Sequence, residues 1–145
     1  MVGFEITKLF FDRKAVLGKV DRATRRVLSR FGAFVRRTAR SSIRKRKRIS
    51  APGAPPSSHS GLLKKFIFFG YEPRKRSVVI GPVRLNQKIG DAPEALEHGG
   101  TSTVVEGGRR RRKKRRITIR ARPFMGPAMD KEKPKLPAMW AGSVK

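Results

Sequence analysis

The chain has 145 residues, which is enough for one domain with some extended segments and too few for a multidomain machine. Lys and Arg number 37 against 10 Asp and Glu, so the formal net charge is +27, and a compact monomer would repel itself at low salt. A polyanion or an acidic protein neighbour is therefore implied, while nine Phe residues and clustered aliphatic residues favour a modest core over full disorder.

The residue types needed for common metal and redox sites are scarce. There is no cysteine, and the only two histidines, His59 and His98, are far apart in sequence. We therefore expect no disulfide, no metal site and no cofactor. The N-terminus lacks the order of a signal peptide, and no run approaches the roughly 20 apolar residues of a membrane span, so we expect no export and no membrane partner.

The N-terminal third predicts one short strand and one long helix. Residues 2–9 alternate loosely and predict the strand. Asp12 is a good N-cap residue, and no Pro occurs between residues 13 and 43, where apolar residues recur every three or four positions. This spacing predicts an amphipathic helix on the order of 45 Å long. Gly18 and Gly32 each cost such a helix about 1 kcal/mol relative to Ala, so a bend or break at Gly32 is an open alternative.

The middle of the chain predicts a basic arm followed by a hairpin. Residues 44–60 combine a basic run with a high Pro density, which forbids a helix, and we interpret them as a Pro-rich arm rather than a core element. Ser60 can cap one helical turn at 61–65. Two strands, 66–71 and 77–81, are then predicted to pair as an antiparallel hairpin. Its aromatic residues are interpreted as core rather than as a base-stacking platform; they are Phe66, Phe68 and Phe69.

The C-terminal half predicts a short helix, two strands and a closing helix. Asp91 and Glu94 have the positions of a capping box for a helix that ends at Gly99 and Gly100. Two more strands, over residues 101–106 and 116–121, bracket a basic loop at 107–116; a helix over 124–133 follows, and 134–145 form a tail with Trp140 as its anchor. The predicted class is α+β: a long N-terminal helix packed on a small, mainly antiparallel four-stranded sheet, with a short helix and a closing C-terminal helix in a single domain.

Catalysis is not indicated by the acidic residues. General acid–base chemistry needs paired carboxylates or an oriented His. Asp130 and Glu132 are interpreted as residues of a solvated helix. Glu97 and His98 are adjacent, so on a helix they point in different directions, and His98 is interpreted as a cation at the helix C-terminus. We therefore expect no enzymatic activity.

Two basic segments are the candidate contacts with DNA or with an acidic partner. Eight like charges in the block 109–116 predict a mobile loop tip. If all eight side chains contacted phosphates, the logarithm of the binding affinity would fall with the logarithm of the salt concentration at a slope of roughly −7. A partner protein, an inert solvated tip and, for the Arg-rich helix, a membrane surface are the alternatives. No sequence-reading motif accompanies the charge. The candidate contacts are Arg44, Lys45, Arg46, Lys47, Arg48, Arg109, Arg110, Arg111, Arg112, Lys113, Lys114, Arg115 and Arg116.

Three short motifs, in this order, carry a resemblance to a known family. They are APGAPP at 51–56 with SHSGLL at 58–63, then LEHGGT at 96–101, then ARPFMGPA at 121–128. Each is short and rich in Pro or Gly, and their order and spacing make the match moderately specific. Together they resemble the minor tail components of tailed bacteriophages, the neck or tail-completion group that includes proteins similar to lambda's minor tail protein Z.

The resemblance implies a structural role in the virion. It implies a small α+β ring subunit, a hexamer, at the junction of head and tail, assembled in the host cytoplasm with other neck and tail proteins and in non-specific contact with packaged DNA. The long block 109–116 departs from the family pattern and leaves open whether it lines the DNA passage or grips a neighbour. The chief alternative is a cellular, non-sequence-specific nucleic-acid-binding protein of ribosomal or nucleoid type. The motif residues assigned structural roles are Pro55, Pro56, Gly61, Gly99, Gly100, Arg122, Pro123 and Phe124.

Overall fold

The structure is a computed structural model that describes residues 12–83, 92–106 and 113–144. These residues form a mixture of helices and antiparallel strands, which confirms the predicted α+β class. In chain order the elements are helix α1 (Arg13–Ser42), helix α2 (Leu62–Lys65), strand β1 (Ile67–Glu72), strand β2 (Ser77–Pro82), helix α3 (Ala92–His98), strand β3 (Gly100–Glu106), strand β4 (Lys113–Ile119), helix α4 (Met125–Glu132), a 3-10 turn (Lys133–Lys135) and helix α5 (Leu136–Trp140).

Helix α1 confirms the long helix predicted from the apolar spacing. It begins at Arg13 because the Asp12 carboxylate accepts a hydrogen bond from the backbone N–H of Ala15 at 2.9 Å. The helix continues through Gly32 without a break. A Cβ atom at this position would lie 2.7 Å from Cγ2 of Val78, so the glycine permits the first hairpin to pack closely on the helix. The strand predicted at 2–9 lies outside the described residues.

The core forms where the C-terminal half of α1 meets the first hairpin and α4. Burial of these side chains removes apolar surface from water and is the main term that holds the elements together. Its cluster of buried residues consists of Phe31, Val35, Ala39, Ile43, Ile67, Phe124 and Ala128.

The prediction of a single four-stranded sheet is wrong, although both predicted antiparallel strand pairs are present. Among the described residues, β1 pairs with β2 and β3 pairs with β4 in two separate sheets. Two backbone carbonyls at or near the ends of β1 and β4 bond to other parts of the chain. The carbonyl of Ile67 accepts a hydrogen bond from Nε of Arg36 at 2.7 Å, and the carbonyl of Ala121 accepts one from the backbone N–H of Gly53 at 2.9 Å.

The first hairpin is less buried than its aromatic composition predicts. Ile67 is fully buried, but Phe68 is 45% exposed and Phe69 is 36% exposed, so the prediction that these two phenylalanines are core residues is wrong. Phe69 lies at the edge of the contact with α1, where its Cδ2 atom would be 3.0 Å from a Cβ on Gly32. Phe68 instead lies beneath the guanidinium of Arg36, 5.7 Å from the ring centre.

Residues 133–140 are helical, which corrects the first part of the predicted tail at 134–145. Pro134 lies in the 3-10 turn and Pro137 in the first turn of α5, where the missing N–H of proline breaks no helical hydrogen bond. Leu136 and Met139 pack against the core. Trp140, the predicted anchor, is 36% exposed, so these two residues hold the segment in its place.

Candidate structural junction and basic surfaces

The three motifs that are far apart in sequence meet in one place, which we name the motif junction. The backbone N–H of Gly53 in the first motif donates to the carbonyl of Ala121 in the third, at 2.9 Å. The backbone N–H of Arg122 donates to the carbonyl of Leu96 in the second motif, at 2.6 Å. The junction therefore ties residues 51–53, 96–100 and 120–126 together by backbone hydrogen bonds.

Glu97 is the central side chain of the motif junction. Its Oε2 atom accepts hydrogen bonds from the backbone N–H groups of Phe124 and Met125, at 2.9 and 3.0 Å, and its Oε1 atom accepts one from Gly126 at 2.7 Å. These groups are the unpaired donors at the start of α4, and a carboxylate there is also favoured by the helix dipole. Since both oxygens are engaged, Glu97 serves as a cap supplied by another helix and is poorly placed to act as a base.

The side chain of Arg122 adds two hydrogen bonds to the motif junction. Its Nε atom donates to the carbonyl of Ser50 at 3.0 Å, and Nη1 donates to the carbonyl of Arg120 at 3.1 Å. The planar guanidinium makes both bonds at once, which a Lys ammonium could not do with the same geometry. Arg122 thereby links the segment before the first motif to the end of β4.

The remaining structural motif residues include three glycines with positive φ, Gly61, Gly99 and Gly100. Gly99 has φ +78°, and a Cβ there would lie 3.2 Å from the backbone N of Ala121, so both its conformation and the close approach require glycine. Gly100 pairs with Ile119 at the start of the second hairpin. Gly61, at φ +77°, precedes α2. The other members range from half-buried to fully buried; they are Pro55, Pro56, Pro123 and Phe124.

Glu132 is buried, which corrects its predicted place on a solvated helix. Its side chain is 5% exposed, and its carboxylate accepts hydrogen bonds from Nζ of Lys135 and Oγ1 of Thr38, both at 2.7 Å. The hydrogen bond from Lys135 is the largest cause that lowers the pKa of Glu132 from its usual 4.5, followed by the bond from Thr38. The residue thus connects α4 to α1 as a charged, hydrogen-bonded group.

The predicted basic arm has no helix but lies against the body of the chain. The backbone N–H of Ser58 donates to the carbonyl of Arg44 at 3.0 Å, and Nε of Arg46 donates to Oγ of Ser57 at 2.9 Å. Pro56 and Ser58 are buried, so the Pro-rich part is anchored. The predicted basic contacts at 44–48 are all exposed to solvent.

The predicted basic loop at 107–116 is partly a strand, which corrects its boundary. Lys113, Lys114, Arg115 and Arg116 belong to β4, in register with β3, and all four are exposed. Alternate residues of a strand face opposite sides, so pairing separates charges that a compact loop would crowd. Arg109–Arg112 lie outside the described residues.

A further basic surface was not predicted from the sequence, and we name it the cationic groove. It lies between α1 and the β1–β2 turn and has a volume of about 500 Å³. The spacing of Arg22 and Arg25 on one helix face, together with a basic turn between two strands, was the only signal in the sequence. Its charged lining residues are Asp21, Arg22, Arg25, Arg74, Lys75 and Arg76.

Neither a metal-binding cluster nor a membrane span occurs in the part of the chain that the structure describes. No group of three or more His, Cys, Asp or Glu residues there could hold a metal ion. No helix among those residues is both long and apolar enough to cross a bilayer. His98 is exposed at the end of α3. Comparison with protein families, curated proteins and solved structures found no match.

Proposed function

We propose that this chain is a structural protein of a tailed-bacteriophage virion, a ring subunit at the head–tail junction that completes the tail and helps to join it to the DNA-filled head. The observation that carries the proposal is the motif junction. The three motifs that resemble neck and tail-completion proteins are joined by backbone hydrogen bonds and by the Glu97 cap. They therefore act as one structural unit, as the motifs of a building block should.

Exposed apolar side chains support a subunit that neighbours complete. Phe68, Val79 and Ile49 are 45%, 63% and 71% exposed. Such surface and the hairpin edges suit contacts with further copies of the chain.

The charge supports a partner that carries many negative charges. A ring of subunits with a net charge of +27 each repels itself unless something supplies counter-charge. Packaged DNA or acidic faces of adjoining rings would supply it, and the cations at 44–48 and 113–116 are exposed to solvent. A cellular nucleic-acid-binding protein has the same need, so the assembly state distinguishes the two functions.

The test is assembly with and without the chain. The full-length protein at micromolar concentration in about 1 M salt, where the Debye length is about 3 Å, should form a closed ring by native mass spectrometry, and a hexamer is expected. Virions produced without the protein should show separate heads and tails by negative-stain microscopy, and the wild-type gene should restore joining. A chain that stays monomeric under all conditions and binds nucleic acid one to one would overturn the proposal.

A further inference from the structure

The cationic groove has an unusual balance of charge for a surface cleft. Arg22 and Arg25 come from α1, and three consecutive cations, 74–76, come from the β1–β2 turn. Asp21 is the one carboxylate that lines it among the described residues. Two elements that are far apart in sequence thus place five cations around a space of about 500 Å³.

The wall of the groove is held in shape by an ion pair and a constrained turn. Nε of Arg76 lies 3.1 Å from Oδ1 of Asp21, which fastens the turn to α1. Arg76 has φ +48°, a left-handed conformation that non-glycine residues rarely adopt, and its N–H donates to the carbonyl of Pro73 at 3.3 Å. The ion pair with Arg76 thus engages Oδ1 of the lining carboxylate.

Three cations of the groove remain for a ligand. Lys75 is paired with Glu72 at 3.4 Å, and Arg76 with Asp21. Within residues 12–83, 92–106 and 113–144, no carboxylate lies within ion-pair distance of Arg22, Arg25 or Arg74. Arg22 and Arg25 are three residues apart, so they are about 4.5 Å apart along one side of α1.

The uncharged lining residues discriminate between an acidic protein and a nucleic acid. The buried cores of protein interfaces are mainly apolar and depleted in charged residues, whereas the described residues that line the groove include only Tyr71 and Pro73 besides the charged ones. Phosphate contacts need only cations and polar donors such as Arg, Lys and the Tyr hydroxyl. We propose that the cationic groove binds the phosphodiester backbone of a nucleic acid without reading its sequence.

This inference deepens the proposed function, since it names a surface by which a ring subunit could contact packaged DNA. It rests on that function only for the source of the nucleic acid.

The test compares a groove variant with a charge-matched control in the full-length chain. The groove variant carries Arg22→Gln, Arg25→Gln and Arg74→Gln. The control carries Arg13→Gln, Arg120→Gln and Lys133→Gln, three exposed cations outside the groove. Circular dichroism melting establishes that both variants fold.

Binding is measured by fluorescence anisotropy with a 20-base-pair duplex DNA, with a 20-nucleotide RNA and with polyglutamate, from 50 to 200 mM salt. Each lost phosphate contact reduces the salt slope for duplex DNA by about 0.9, so the groove variant should have a slope less steep by about 2.7. Wild-type affinity should then fall about 40-fold more than that of the groove variant across this range. The control should keep a slope within about one unit of wild type.

The possible outcomes separate the inference from the proposed function. Equal slopes for the groove variant and the control would overturn the groove as a site. A loss confined to polyglutamate would assign the groove to an acidic protein and overturn the inference as well. A loss on DNA, on RNA or on both supports it, and the two nucleic acids then identify the source of the phosphodiester. If the chain forms no ring but the groove variant still loses binding, only the proposed function fails. If rings form and the salt slope of the groove variant is unchanged, only the inference about the groove fails.

Discussion

Replacement of Glu97 tests whether the motif junction holds the fold together. Glu97→Gln keeps the shape of the side chain but removes its negative charge and one of its two acceptor oxygens. If the remaining oxygen takes the position of Oε2, it keeps the bonds from Phe124 and Met125, and its NH₂ group then faces the N–H of Gly126. Since Gly126 is exposed, water can bond to that N–H.

The expected cost of Glu97→Gln follows from these contacts. Loss of one hydrogen bond to a charged acceptor costs about 1.5 kcal/mol, and loss of the charge near a helix N-terminus about 0.5 kcal/mol more. We expect the free energy of unfolding to fall by about 2 kcal/mol. Glu97→Ala removes all three bonds and leaves the part-buried N–H groups of Phe124 and Met125 unpaired, so we expect a loss of about 3 to 4 kcal/mol.

The measurement is urea unfolding of the full-length variants at neutral pH. Asp130→Asn is the control, because Asp130 lies exposed on α4 outside its first turn, and its replacement should cost less than about 0.5 kcal/mol. A loss for Glu97→Gln no larger than that of the control would refute the assigned role. Unchanged stability of Glu97→Ala would refute the wider inference that the second motif supports the third.

Two further predictions concern helix packing and pH. Gly32→Ala should lower the free energy of unfolding by about 1 to 2 kcal/mol, because the new Cβ would lie 2.7 Å from Cγ2 of Val78. The Cβ of Gly18→Ala would meet nothing within 4 Å, so this variant should raise the free energy of unfolding by about 0.5 to 1 kcal/mol. The same sign for both in urea unfolding would contradict this packing. The pKa of Glu132 is lowered from 4.5, so its contribution to stability is complete above pH 4.5 and is lost as the pH falls through the folded pKa. In Glu132→Gln, the free energy of unfolding should therefore fall less steeply as the pH is lowered through this range. An unchanged acid dependence would contradict the assignment.

The elements that could be predicted were those with strong local signals. Helix α1 combines an N-cap, an unbroken apolar period and the absence of Pro, and its observed bounds, Arg13–Ser42, differ from the prediction by one residue. The first hairpin was marked by two apolar runs around a polar turn, and it pairs as expected from Ile67 to Pro82. In both cases the decisive interactions join residues that are near in sequence.

The features that were missed depend on contacts between distant residues. Glu97 accepts hydrogen bonds from backbone N–H groups that follow it by 27 to 29 positions. Because these partners are backbone groups, the side-chain types at 124–126 give no sign of the contact. Lys113–Arg116 were predicted to lie in a loop because like charges repel, and pairing with β3 separates them on two faces instead. Pro134 was interpreted as the start of a tail, although proline is also compatible with a first helical turn.

The use of carboxylates inside the fold determines what the cations can bind. Several described carboxylates are already engaged: they are Asp12, Asp21, Glu72, Glu97 and Glu132, which cap helices or pair with a neighbouring cation. Because the chain has only 10 Asp and Glu and several of them already serve the fold, the large surplus of Lys and Arg has little internal counter-charge. Ions in solution or another molecule must supply the remaining counter-charge, and each contact of these cations with a phosphate would release condensed counterions. The binding to a polyanion that we propose should therefore depend steeply on salt, and the two basic segments and the cationic groove are the surfaces proposed for it.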